Sequence, residues 1–527
     1  MYSNKFMNAL NVETNYTLTE NGAVANKSTL SCVLDMFAVG AAYRNRTDED
    51  IILLFKKALE EDIRLALKCL FYIRDVRGGQ GERRFFKVCM KWFANQPQYH
   101  DYVDFMILFI PAIGRWDDLY CFVDTPFEKD ALSRIAEQLR ADHKSLLDKM
   151  NNLKYEPITL CAKWAKSENT SSLESRQLGE KTRKVLGWTP KAYRKVLSML
   201  RDEIGVLEKT LSQGDWATIE FDKLPSKAGL KYSKAFTKNK VTAAKYREFM
   251  ADKNTKVNAG TLYPYDVVGK AINYHSFSDD SNTERNALNK YWDNLTDYFK
   301  DATLNALAVV DTSGSMHNGM GKIMPIDVAI SIGMYCAERA KGPFANHYVS
   351  FSSRPQLVKV DGIDFVDKVH RIYKTNLVEN TNIEATFDML LETAILHDCK
   401  QEDLPQNLII ISDMEFDRVT IDIDGWCGSN VEKSLQKRTL MEFIRKKWKA
   451  HGYKMPHIIY WNVNSRQDNI PEVNNDEPIS YVSGGSPTVF KNILTGKTGY
   501  DLMLDAINSD RYAFIDILFA SENKNNV

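Results

Sequence analysis

No stretch of this 527-residue chain is apolar for long enough to cross a membrane. The longest apolar run, near residues 105–113, is far short of the ~20 residues a spanning helix needs. The first residues, MYSNKFMNALNVETNYTLTENG, lack the apolar centre of a signal peptide, so a cytoplasmic, soluble protein is expected. The eight cysteines contain no CxxC pair and none stands at zinc-ligand spacing from a histidine. They read as reduced core residues of an intracellular protein, which excludes a disulfide framework. No HExxH occurs among the nine histidines; His451 and His457 lie close together but have no third ligand near. Gly496-Lys497-Thr498 is not a phosphate-binding loop, because the first glycine would have to stand where Lys491 is. Gly321-Lys322 fails in the same way at Met316 and Ile323. No positive sign of an enzyme is left, and the expectation is a non-enzymatic protein.

What is present is ordinary globular composition, 44% apolar and 26% charged, with a net charge of zero that is unevenly spread. Residues 1–300 carry +7 and residues 301–527 carry −7, and residues 181–260 alone carry +10. A basic front and an acidic back suggest two parts with different partners.

Residues 1–28 are polar and Asn/Thr-rich and read as a flexible arm. Residues 29–300 repeat apolar positions at helical spacing, as in IILLFKKALEEDIRLALKCLFYIRDV from Ile51, RRFFKVCMKWFA from Arg83 and YVDFMILFIPAI from Tyr102. Short Gly or Pro breaks separate them. Successive helices with short connections read as stacked antiparallel hairpins, since no single hairpin can bury both of its faces. No clean repeat period is visible. From about Asn305 the pattern alternates between short apolar strands and helices, with strands expected at 347–351, 407–411, 457–463 and 479–482. Helices are expected at 325–339, 383–396 and 432–450, and a last helical region after Tyr500. This is the pattern of a doubly wound α/β sheet over residues 301–527.

The first of these strands runs into Asp311-Thr312-Ser313-Gly314-Ser315. In an open α/β sheet, ligands bind beyond the carboxyl ends of the strands. One carboxylate and two hydroxyls at alternate positions make a hard, all-oxygen face suited to a small divalent ion such as Mg²⁺. Two further segments fall on the same side of the expected sheet. One is NTNIEA from Asn380, which supplies Thr381 where a loop enters a helix. The other is LIIISD from Leu408, a buried strand ending in Asp413. The competing reading is that these residues are strand-end caps in a domain without metal. Glu415 and Asp417 add negative charge, either to tighten cation binding or as solvated loop acids.

These three segments, in this order, resemble the metal-ion-dependent adhesion site of von Willebrand factor A domains. The resemblance implies a Rossmann-like fold in which Ser313, Ser315 and Thr381 ligate directly and Asp311 and Asp413 act largely through water. It also implies that an acidic group of a partner fills the open coordination position. Asn380 departs from the glycine usual before the loop threonine, but asparagine tolerates left-handed backbone angles.

In the helical part three segments stand out: residues 75–84, DVRGGQGERR; residues 114–119, GRWDDL; and residues 164–169, WAKSEN. With an all-helical front and an A-type domain behind, they resemble uncharacterised relatives of the Ro (TROVE) ribonucleoproteins. The resemblance implies HEAT-like helical repeats closed into a ring by the A domain. It also implies a basic surface for the single-stranded ends of misfolded or structured RNAs. In the +10 stretch, Lys184, Lys191, Arg194, Lys195, Lys231, Lys234, Lys238, Lys240 and Arg247 are the candidate RNA contacts. Tyr193, Tyr232, Phe236 and Tyr246 are interleaved with them, either as stacking platforms or as core. Arg77, Arg83, Arg84 and Arg115 are weaker candidates, for which buried pairing with Asp75, Glu82, Asp117 or Asp118 is the competing role. The functional expectation is a Ro-like RNA-binding protein carrying Mg²⁺ in its A domain. The alternative is a scaffold that grips an acidic protein ligand through the metal, without RNA.

Overall fold

The computed structural model describes residues 14–274, 281–300, 305–318, 323–351, 354–375, 382–417, 439–473, 479–493, 497 and 499–522. The chain is mostly helical, with a six-stranded sheet in its C-terminal part. The sheet strands are β3 (Ala306–Asp311), β4 (His347–Phe351), β5 (Gln356–Lys359), β6 (Asn407–Ser412), β7 (His457–Asn462) and β8 (Ile479–Ser483). A separate two-stranded ribbon, β1 (Tyr16–Leu18) and β2 (Val24–Asn26), precedes them. The sheet order is β5-β4-β3-β6-β7-β8, with every pairing parallel except β4 with β5. β5 is absent from the sequence reading because its residues are nearly all exposed. A short edge strand with one bare face leaves no apolar alternation to read.

The continuous apolar runs of β3, β6 and β7 are explained by helices on both faces. Successive residues point to opposite sides. Leu307, Val309, Leu408, Ile410, Ile458 and Tyr460 enter one core, with the helices Ile383–Leu396, Leu440–Ala450 and Gly499–Ile507. Ala308, Val310, Ile409, Ile411, Ile459 and Trp461 enter the other, with the helices Pro325–Arg339 and Phe365–Thr375.

The helical part divides along the same line. Its residues up to Leu200 are continuous with the first core, and those from Leu207 onward with the second. Both of its ends meet the α/β part. Near the N-terminal end, Ala41 N–H and Gln80 Nε2 donate to Ser483 Oγ at 3.3 and 3.2 Å, and Tyr43 Oη bonds to Asp468. Near the other end, Arg285 grips Asp364 in bidentate fashion at 2.6 and 2.7 Å, and the Trp292 ring stacks on Phe365 with centroids 4.4 Å apart. The helical spacing from Ile51 to Val76 is divided between two helices at Asp62, whose carboxylate caps the Ile63–Arg74 helix by accepting from Leu65 N–H. Among the described residues, no helix is long and apolar enough to cross a membrane. The seven described cysteines are free thiols; Cys427 lies outside the described residues.

The flexible arm expected for residues 1–28 is corrected from Thr14 onward. The β1–β2 ribbon is docked on the α/β part. Thr19 Oγ1 donates to Phe416 O at 2.7 Å, Asn21 Nδ2 donates to Glu415 O at 2.7 Å, and Asn26 and Ile470 exchange backbone hydrogen bonds at 2.8 Å. Polar side chains suggest a solvated arm by composition, but here they find partners hundreds of residues away. At its base, Ser28 Oγ and Thr29 N donate to Asp35 at 2.5 and 2.7 Å. Burial pushes the Asp35 carboxyl up to about 6.

An acid held above its unfolded value of ~3.9 makes folding take up a proton between the two values, so its contribution to stability falls as pH rises through that window. Relative to Asp35→Asn, the wild type is therefore expected to lose up to about 3 kcal/mol between pH 4 and 7. Urea unfolding of both proteins across that range checks this, and parallel stability profiles would refute it.

Candidate metal centre and nucleic-acid interface

β3 and β6 are adjacent parallel strands, and the sheet order runs outward in opposite directions from them. This is the switch point at which an open α/β sheet leaves a crevice beyond its carboxyl ends. Asp311 is the last residue of β3, and Asp413 directly follows β6. Both carboxylates are buried, as are Ser313 and the neighbouring Glu415. Asp311 Oδ1 accepts from Ser313 N–H at 2.9 Å, and Asp311 Oδ2 accepts from Ser412 Oγ at 2.5 Å. The Ser313 and Ser315 hydroxyls are 3.0 Å apart, and Ser315 is near enough to Asp413 to favour its charged form. Four of the five predicted ligands thus converge. Thr381 and Asn380 lie outside the described residues. Asn382, next in the chain, accepts from Ala385 N–H at 2.9 Å and caps the Ile383–Leu396 helix where the sequence placed a loop-to-helix turn.

Burial is the main cause that pushes Asp311 up, to about 7, and the Asp413 carboxylate adds to it. Asp413 is also held above the usual carboxylate range by burial, opposed by Arg466. Arg466 Nη2 lies 3.1 Å from Asp413 and also pairs with Glu20 of the ribbon. One guanidinium thus serves the buried Asp413 and the exposed Glu20, and only partly offsets the cost of burying Asp413. The donor chemistry fits a small divalent ion: two carboxylates and two hydroxyls, all hard oxygen. Among the described residues, no three His, Cys, Asp or Glu side chains are gathered for a metal, so a site here depends on the hydroxyls.

Glu415 is not a solvated loop acid. Its Oε2 accepts from Glu20 N–H at 2.8 Å and from Asn469 Nδ2 at 2.9 Å, and burial pushes it up to about 7. Its place is to seat the ribbon beside the metal candidate. Sequence reasoning missed Arg466 and Ser412. Ser412 stood inside the segment already quoted, and Arg466 follows β7, the strand next to β6, on the same edge of the sheet.

Two families of unknown function match separate parts of the chain. Residues 305–511 match the Domain of unknown function (DUF7788), and residues 19–99 and 168–304 match the Domain of unknown function (DUF2828). The matches meet immediately before β3, and the second includes most of the ribbon. Uncharacterized protein L728 of Acanthamoeba polyphaga mimivirus is 28% identical to this chain over 556 residues. The alignment covers 97% of this chain and 92% of that protein.

The nine candidate RNA contacts are all exposed. They lie on the helices Leu173–Leu186, Pro190–Glu203, Ser226–Lys238 and Ala243–Ala251, with Lys240 in the turn before the last. Lys184 pairs with Glu180 at 2.8 Å, Lys234 with Glu284 at 3.2 Å, and Lys231 Nζ lies 3.0 Å from Tyr232 Oη. Lys191, Arg194, Lys195, Lys238 and Lys240 have no acidic partner among the described residues. The aromatics interleaved with them are core, not stacking platforms: Tyr193, Phe236 and Tyr246 are buried, and only Tyr232 is partly open. At helical spacing, residues beside exposed lysines turn inward.

Proposed function

We propose that this chain is a Ro-like, non-enzymatic RNA-binding protein. HEAT-like helical repeats hold RNA on their basic face, and a von Willebrand A domain binds a divalent ion, most simply Mg²⁺. The observation that carries the RNA reading is the set of nine exposed cations on four helices between Leu173 and Ala251 and one turn between them, with their apolar neighbours turned inward. Such a surface neutralises phosphates without reading bases. The A-domain reading is supported by the strand order, by the antiparallel edge strand and by two buried carboxylates at the switch point. The ring reading is supported by the contact of both ends of the helical part with the α/β part.

When bound, the ion would supply a Lewis-acidic position for an oxygen ligand. Asp311, Ser313, Ser315 and Asp413 are the described residues that would hold it. None of them is placed as a general base toward an open substrate site, which favours recognition over turnover.

Filter binding to a structured RNA with a single-stranded tail, over a salt series, tests the reading. The expected result is affinity whose logarithm falls linearly with the logarithm of salt concentration. Absent or salt-insensitive binding would sink it. A metal-dependent protein scaffold is the second reading, favoured by the distinct placement of the metal candidate on the α/β part. Under it, an Asp311→Ala variant loses its protein partners, whereas under the first reading it retains RNA.

A further inference from the structure

The three segments that stand apart in the helical sequence come together at one point. Arg115, from the second, holds Asp117 through Nε and Nη2, both at 2.9 Å. Arg83, from the first, reaches the same carboxylate at 3.3 Å. Lys166, from the third, lies 4.0 Å from it, and Trp164 carries the Arg115 guanidinium 3.9 Å above its ring. Behind them, the buried Asp118 pairs with Arg74 at 2.6 Å and with Lys87 at 3.6 Å.

Five cations therefore stand around two carboxylates. Holding the helices together requires only enough positive charge to neutralise the buried acids, and Arg74 and Arg115 already do so. The surplus is also the accessible part: the Arg83 side chain is 48% exposed, and those of Lys87 and Lys166 are each 31% exposed. A cleft of about 870 Å³ opens beside Lys87, Lys166 and Asp117; five lysines and five acidic side chains line it, and Arg83 is not part of its wall. Lys184, one of the nine exposed cations, lines the same cleft and joins it to the basic helices. Like charges crowded on a stacked, bidentate anchor lose mutual repulsion when an anion arrives. A phosphate group presents several unshared oxygens to satisfy them together.

We propose that Arg83, Lys87 and Lys166 form a phosphate-binding site beside the Arg115–Asp117 pair, and that its ligand is a backbone phosphate of a bound single-stranded RNA. This rests on the RNA-binding reading and adds a defined place to it. The Arg115–Asp117–Trp164 arrangement positions the site, and the exposed Arg83 and the half-buried Lys87 and Lys166 contact the ligand.

The test is fluorescence anisotropy with a short single-stranded oligoribonucleotide, over a salt series, on the full chain. Two double variants are compared, Arg83→Ala with Lys166→Ala and Lys238→Ala with Lys240→Ala, with thermal melting as the control for folding. Arg83→Gln with Lys166→Gln repeats the first in a form that preserves side-chain bulk. The Arg83/Lys166 variants are expected to weaken binding about tenfold and to make the salt slope shallower by about 1, for ~0.7 per single-strand phosphate contact. If RNA binds and the Lys238/Lys240 pair weakens it, but the Arg83/Lys166 variants leave affinity and slope unchanged, the site is overturned and the RNA reading stands. If the wild type fails to bind at low salt, the RNA reading falls and the site falls with it.

Discussion

Asp311→Asn is expected to abolish the stabilisation that Mg²⁺ or Mn²⁺ confers on this protein, while leaving the metal-free form as stable as the wild type or more so. The Asp311 carboxylate is buried beside Asp413, and among the described residues it accepts from Ser313 N–H and Ser412 Oγ. An amide of the same shape removes the repulsion and keeps one acceptor. With a cation the balance reverses. An ion at a hundred times its dissociation constant adds about 2.7 kcal/mol to the state that binds it, an increment the variant lacks. At roughly 2–4 °C per kcal/mol for a domain of this size, the wild type should melt several degrees higher with metal than with chelator, and Asp311→Asn should not. Ser313→Ala is expected to fall between them, because it deletes one hydroxyl and no charge. Equal metal-induced shifts in wild type and Asp311→Asn would place the ion elsewhere.

Reversing charge at Lys191, Arg194, Lys195, Lys238 and Lys240 together is the second large effect, with an expected loss of RNA affinity of about a hundredfold or more at low salt. These five are exposed and have no acidic partner among the described residues, so substitution breaks no ion pair. Surface changes of this kind usually move stability by less than ~0.5 kcal/mol each. The salt dependence is the sharper readout. Each lost phosphate contact on a single strand removes ~0.7 from the slope, so the five-site variant should be shallower by about 3.5. Single Ala substitutions of Tyr193, Phe236 or Tyr246 should instead destabilise the fold, since these rings are buried. A five-site variant that binds RNA as the wild type does, with the same slope, would remove the basic helices from the RNA surface.

Much of the α/β part could be read from local pattern. Pro325–Arg339 and Ile383–Leu396 are helices at the bounds their apolar spacing predicts, and β4, β6, β7 and β8 fall within a residue of expectation. Strand and helix periods are properties of neighbouring residues, and a core on both faces makes them strong. The Leu440–Ala450 helix starts later than predicted, at the Thr439 cap whose hydroxyl accepts from Glu442 N–H; residues 432–438 lie outside the described residues. The Phe365–Thr375 helix is absent from the sequence reading altogether.

The metal candidate was legible for a related reason. Asp311, Ser313 and Ser315 are covalent near-neighbours, and Asp413 follows a strand whose burial is evident in its composition. Sequence alone thus named four of the residues whose oxygen atoms gather at the end of the sheet, Asp311, Ser313, Ser315 and Asp413, but not Ser412. What those atoms meet was decided by contacts spanning tens to hundreds of residues, which no local period encodes. Arg466 comes to Asp413 because β7 lies beside β6. The N-terminal ribbon is held because Glu415 is buried without enough donors of its own. Arg83, Arg115 and Lys166 share one carboxylate because their three segments converge in space. The charges are written in the chain, but burial and distance set their effect, and only the folded structure supplies both.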